Sequence, residues 1–135
     1  MTESSPPSLP PLHILVAEDN PISQKVAMAL LARHGHQVTV VGDGRAAVAA
    51  VAEGSFDAVL MDIQMPDMDG LEATRAIRGL GGKKGKLPII AMTAGEADQD
   101  QDQCRAAGMD GHITKPFDPA RIFPVLQRCL ADRQA

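Results

Sequence analysis

Five short apolar runs rich in β-branched residues alternate with segments of helical period, and few folds accept that rhythm. The runs are Leu12 to Ala17, Gln37 to Val41, Phe56 to Met61, Pro88 to Met92 and Gly111 to Ile113. Runs that lack polar alternation suit strands covered on both faces, so the pattern predicts an α/β fold built on an open parallel sheet with helices on either side. With 135 residues, 44% of them hydrophobic, the chain has one domain's length. Such a domain buries roughly two-thirds of its unfolded surface.

The segments between the runs carry helix punctuation. The first helix opens on Asn20 as N-cap with Pro21 at its first position, is expected to bury Ile22, Val26, Ala29 and Leu30, and stops at Gly35. A second helix is expected from Gly44 to Ala52 behind the cap Asp43, and a third from Leu71 to Leu80 before a loose Gly79 to Gly85 loop. A helix over Glu96 to Ala107 carries the acidic run Asp98 to Asp102, whose like charges at i,i+4 make it marginal. The last helix starts at Asp118-Pro119 and buries Ile122, Val125, Leu126 and Cys129. Within it Pro124 should kink the helix or delay its start.

Composition excludes several function classes. A net charge of −4, with no basic run longer than Lys83-Lys84, argues against nucleic acid or an anionic membrane as the main partner. No apolar run approaches the ~20 residues of a membrane span, and the N-terminus lacks a signal peptide's charged and apolar regions. Cys104 and Cys129 have no metal-ligand spacing and read as small buried hydrophobes in a reduced, cytoplasmic domain. Residues 1–11 hold four of the ten prolines and three serines, and read as a flexible tail or linker.

Chemistry concentrates where the strands end. In a parallel sheet of this kind ligands bind beyond the carboxyl ends of the strands. Glu18-Asp19, Asp62, Thr93 and Lys115 all fall at such ends. Three converging carboxylates repel one another unless a cation sits among them, and hard oxygen ligands suit Mg²⁺. A carboxylate beside Mg²⁺ and an ammonium group is a competent nucleophile toward phosphorus, because the two cations neutralise the incoming oxygens. The product is an acyl phosphate on Asp62, with Thr93 donating to one phosphoryl oxygen and Lys115 pairing with another.

These residues bring the chain to a family. From Leu12 to about Leu130 it resembles the receiver domains of response regulators in two-component signalling. The matching pieces are Glu18-Asp19, Met61-Asp62-Ile63-Gln64-Met65-Pro66 with Asp69-Gly70, Thr93-Ala94, and Lys115-Pro116. Met61 to Gly70 and Ala107 to His112 look especially like receivers of hybrid histidine kinases. The resemblance implies one (βα)₅ doubly wound sheet of flavodoxin-like order 2-1-3-4-5, occupying residues 12–130 before a short 131–135 tail. It implies Asp62 as phosphoacceptor and Glu18, Asp19, Asp62 and the backbone carbonyl of Gln64 as Mg²⁺ ligands. It also implies a cis peptide before Pro116. The function implied is a phosphorelay receiver, not an enzyme acting on other molecules, that assists its own phosphorylation and autodephosphorylation. Its partners would be a histidine kinase or histidine phosphotransfer protein, and a downstream protein at the face made by the Glu96 to Ala107 helix, the fifth strand and the last helix. Thr93 and His112 take the switch positions, although the family usually has Tyr or Phe where His112 stands. The side chain two residues past the acceptor, Gln64, reaches toward the phosphoryl group, whereas Gly95 offers none.

Other readings fit less well. A haloacid-dehalogenase-type phosphatase needs a second Asp where Gln64 stands, and a calcium loop starting in Asp67-Met68-Asp69-Gly70 would put its bidentate carboxylate on Ala76. A receiver-like module that binds proteins without phosphorylation remains, although all five site residues are present. Ala131 to Ala135 are too few for an output domain, so a signal is expected to leave by protein contact.

Overall fold

The computed structural model describes residues 11–63, 65, 68–93, 105–114 and 119–134. Five strands, β1 (His13–Ala17), β2 (Gln37–Val41), β3 (Ala58–Asp62), β4 (Ile89–Thr93) and β5 (Gly111–Thr114), form one sheet in the order β2-β1-β3-β4-β5. Every pairing is parallel. This is the α/β architecture and strand order expected.

Alternate residues of each strand face opposite sides, which divides the core in two. Ile14, Val16, Leu60, Ile90 and Met92 pack with α1 (Pro21–Arg33) and α5 (Pro119–Gln134) on one side. Leu15, Ala17, Val59, Met61, Ile89 and Ala91 pack with α2 (Gly44–Glu53) and α3 (Gly70–Arg78) on the other. A large aliphatic side chain taken fully out of water in this way contributes about 1.5–3 kcal/mol.

Helix punctuation is as expected at the first two starts, and the third adds a cap of its own. Asn20 Oδ1 accepts from the Ile22 and Ser23 N–H groups at 2.8 and 3.1 Å. Asp43 Oδ1 accepts from Ala46 N–H at 2.7 Å. Asp69 and Glu72 form a reciprocal capping box on α3, which gives Asp69 a structural task in place of calcium ligation.

Two expectations need correction. The buried face of α1 is not the one anticipated: Ile22 is 74% exposed and Val26 44%, Ala29 is exposed and Leu30 half-buried, while Ala27 and Leu31 face the sheet. Both stripes are apolar at helical spacing, and small Ala27 permits the close approach of helix to strand. The Gly79 to Gly85 segment is not wholly loop, because α4 (Gly82–Gly85) makes a helical turn there. Its Lys84 Nζ donates to the Val51 and Gly54 carbonyls at 2.9 and 2.7 Å, closing the C-terminal end of α2.

In α5, Ile122, Leu126 and Cys129 are buried as expected, and so is Phe123. Val125 is half-buried, and exposed Pro124 sits within a helix whose start, at Pro119, it does not delay. Residues 105–107 are helical, while the acidic run, Cys104 and the peptide before Pro116 lie outside the described residues. No described helix is long and apolar enough to cross a membrane.

Candidate acidic site at the carboxyl edge of the sheet

β1 and β3 are neighbours, with Ala17 in register with Met61, so the residues that follow, Glu18 and Asp62, come side by side. Glu18, Asp19 and Asp62 form a cluster in which a carboxylate oxygen from each lies within 4.8 Å of the others. Glu18 is fully buried and Asp62 6% exposed, whereas Asp19 is open to solvent. Two of the three acids are thus out of water, and the third stands on the rim that faces it.

The loop after β1 is held by backbone and side chain together. The Glu18 N–H donates to the Val41 carbonyl at 3.0 Å, and Glu18 Oε2 accepts from the Asn20 N–H at 3.1 Å. Gln24, one turn into α1, donates from Nε2 to the Glu18 carbonyl at 2.6 Å. Sequence reasoning missed Gln24, since a glutamine on a helix gives no sign of what it reaches.

Asp62 ends β3, and the chain must then turn sharply. The Gly70 N–H donates to the Ile63 carbonyl at 2.9 Å, closing the loop. A Cβ on Gly70 would lie 2.3 Å from the Asp62 carbonyl oxygen, so only glycine lets α3 start this close to the acidic residue. Gly44 is equally tight, its Cβ position lying 2.3 Å from the Met68 carbonyl oxygen. The Asp69-Gly70 pair thus closes the turn that holds Asp62.

Thr93 ends β4, beside the Asp62-bearing strand and in register with Thr114 of β5. The structure thus brings the Thr93 backbone to the same edge as Asp62. His112 lies one strand further out, half-buried and in register with Ala91. Lys115 and Gln64 lie outside the described residues.

Paired buried acids and a third on the rim make a set of hard oxygen donors, which fits a small divalent cation. Comparison with known proteins agrees with that geometry. The family model of the response regulator receiver domain matches residues 14–127. The chain belongs to the response-regulator receiver family. Probable histidine kinase 4 of Oryza sativa subsp. japonica is 38% identical over 138 residues, covering 87% of this chain and 14% of the kinase. The sensor protein GacS of Pseudomonas syringae pv. syringae is 39% identical over 116 residues, covering 84% of the chain and 13% of GacS. The chain therefore matches a small part of these longer kinases. Among solved structures, the receiver domain of sensor histidine kinase PA1611 from Pseudomonas aeruginosa aligns with a TM-score of 0.82 at 40% identity, covering 90% of this chain and 99% of that one. That receiver was crystallised with a magnesium ion coordinated in its active site cleft. Chemotaxis protein CheY4 of Vibrio cholerae aligns at 0.81 with 28% identity, covering 89% and 99%. This receiver has the acidic cluster in which a metal ion could be held, and its relatives are receivers of hybrid histidine kinases.

Proposed function

We propose that residues 12–130 form a phosphorelay receiver that takes a phosphoryl group from a phosphohistidine donor onto Asp62. The observation that carries this reading is the Glu18, Asp19 and Asp62 cluster, with Asp62 at the end of a central strand. An Asp62 carboxylate oxygen attacks phosphorus while the bond from phosphorus to the donor's imidazole nitrogen breaks. That nitrogen keeps the electron pair and later takes a proton. Hydrolysis by water returns the carboxylate and releases inorganic phosphate, so the domain assists its own phosphorylation and dephosphorylation without acting on another substrate.

Glu18, Asp19 and Asp62, with the Gln64 backbone carbonyl, would hold Mg²⁺, whose chemistry here is neutralisation of phosphoryl oxygens. The chain's own groups do the rest. Lys115 pairs with a second phosphoryl oxygen, and the Thr93 hydroxyl donates to a third. Burial of Glu18 and Asp62 supports this, since charges facing each other out of water interact more strongly.

Partner surfaces follow from exposure. The phosphohistidine donor must cover the rim at Asp19, and the exposed Ile22 and Val26 lie on the first turns of the helix beginning just beyond it. They suit an apolar donor surface carrying a histidine. Downstream contact uses the face of β5 and α5, to which the sequence adds the helix expected over Glu96 to Ala107. The half-buried position of His112 at that face supports a switch in which Thr93 moves toward the phosphoryl group and His112 turns inward. A cytoplasmic setting suits such a relay.

Intact mass after incubation with Mg²⁺ and acetyl phosphate tests the reading. One phosphoryl group is expected on the wild type and none on Asp62→Asn or without Mg²⁺. Uptake by the Asn variant would reject Asp62, and no uptake by the wild type would favour a module that binds unphosphorylated. NMR with beryllofluoride, a phosphoryl mimic, tests the switch. The His112 signals are expected to shift, and a silent His112 moves the switch elsewhere.

A further inference from the structure

We infer that Gln24 is a positioning residue of the acidic site, its side-chain amide pinning the Glu18–Asp19 peptide so that both carboxylates stay beside Asp62. This rests on the metal-dependent reading proposed above. Three like charges whose oxygens lie within 4.8 Å of one another push the loop open, so something must hold it shut. The Glu18 N–H is fixed to β2 through Val41, and its carboxylate accepts from the Asn20 N–H. The next peptide plane, from the Glu18 carbonyl to the Asp19 nitrogen, sets where Asp19 stands relative to Glu18 and Asp62. Turning it would swing Asp19 away from the other two acids. The 2.6 Å bond from Gln24 Nε2 to the Glu18 carbonyl opposes that rotation.

The geometry of α1 aims this amide. Gln24 N–H donates to the Asn20 carbonyl at 2.9 Å, which sets residue 24 one turn above the N-cap and directs its side chain back over the loop. A Cβ on Gly42, in the turn after β2, would lie 3.9 Å from Gln24 Nε2, so the amide sits between the loops that follow β1 and β2. Half-buried, it meets less competition from water than an exposed amide would. Groups that orient metal ligands from behind are worth about 10–100-fold in affinity.

Gln24→Met keeps the length and loses the donor, and Gln24→Ala removes the bulk as well. Together the two keep a packing defect in either one from deciding the result. By calorimetry with MgCl₂, both are expected to bind Mg²⁺ about 10-fold more weakly than wild type. In the metal-free protein, the Asp19 and Asn20 amide signals are expected to shift. With acetyl phosphate, the Mg²⁺ concentration for half-maximal phosphorylation rises, while the rate at saturating Mg²⁺ returns to that of wild type. Mg²⁺ affinities within about twofold of wild type, or unmoved Asp19 and Asn20 signals, would overturn the inference. So would a rate that saturating Mg²⁺ does not restore, because a holding group acts only through the ligands. If the wild type gains no phosphate, the proposed function fails, yet the calorimetry and metal-free NMR still judge Gln24.

Discussion

At the amino edge of the sheet, the Arg78 guanidinium donates to the Gly85, Leu87 and Gly108 carbonyls and to Asp110 Oδ2, over 2.5 to 3.1 Å. At the carboxyl edge, Glu18, Asp19 and Asp62 set like charge against like charge within 4.8 Å. The same fold keeps both arrangements. In the first, each donor meets an oxygen and the charge meets a countercharge, so the group stabilises. In the second, backbone geometry brings three acids together, which costs stability to the extent that no cation offsets it, and makes a set of hard oxygen donors in which a metal ion could be held.

The sharpest way to break this comparison is at Arg78. Its Asp110 partner also accepts from the Ile89 N–H at 2.9 Å, so this ion pair joins α3, the start of β4 and the turn before β5. With the side chains of Arg78 and Asp110 both 20% exposed, water replaces part of what is lost. Arg78→Met is expected to cost about 2–4 kcal/mol in urea unfolding, chiefly from carbonyls and a carboxylate left poorly satisfied. A loss under about 0.5 kcal/mol, typical of a surface site, would place Arg78 outside the structural core.

The carboxyl edge should respond with the opposite sign. Without metal, Asp62→Asn removes one charge from the crowded trio and is expected to raise stability by roughly 1 kcal/mol. Adding Mg²⁺ should then stabilise the wild type more than the variant, because binding to the native state adds stability by mass action. Thermal unfolding with and without Mg²⁺ measures both effects. A metal-free Asp62→Asn protein less stable than wild type would mean that the carboxylate's other contacts outweigh the repulsion.

What could be read from sequence differs between the edges for a physical reason. The acids at strand ends stand out because a doubly covered strand is an uninterrupted apolar run, so the first charge after it marks the edge; Glu18, Asp19 and Asp62 were legible that way. Arg78 was not, since three of its acceptors are backbone carbonyls, which leave no trace in residue identity. Gln24 is hidden for the same reason. Helix faces were legible only where one stripe was apolar. On α1 two stripes compete, and Ile22 and Val26 were expected in the core although the sheet takes Ala27 and Leu31. Phe123 was missed because Pro124 beside it suggested a disturbed helix, whereas α5 runs through and buries the ring.

The smallest expected effect belongs to a third group at the amino edge, His36, where satisfaction depends on pH. Its Nδ1 accepts from the Leu12 N–H at 3.1 Å, which requires the neutral ring with the proton on Nε2. Only 6% exposed, it also faces the Phe123 ring, with centroids 5.8 Å apart. Burial first, and then the nearby His34, lowers its pKa below the usual 6.5. The unfolded chain therefore takes up a proton at a higher pH than the folded one, and between the two values it binds more protons. The contribution of His36 to stability is whole above pH 6.5, falls as pH drops below it, and levels off once the folded ring is also charged. Other groups titrate over this range, so His36→Gln, which keeps a side-chain acceptor, supplies the reference. The loss of stability between about pH 7.5 and about pH 5.5 should be larger in wild type than in the variant. Amide exchange at Leu12 should quicken over the same interval in the wild type alone. Equal losses in the two proteins, or a Leu12 amide indifferent to pH, would show that the ring holds the start of β1 no better charged than neutral.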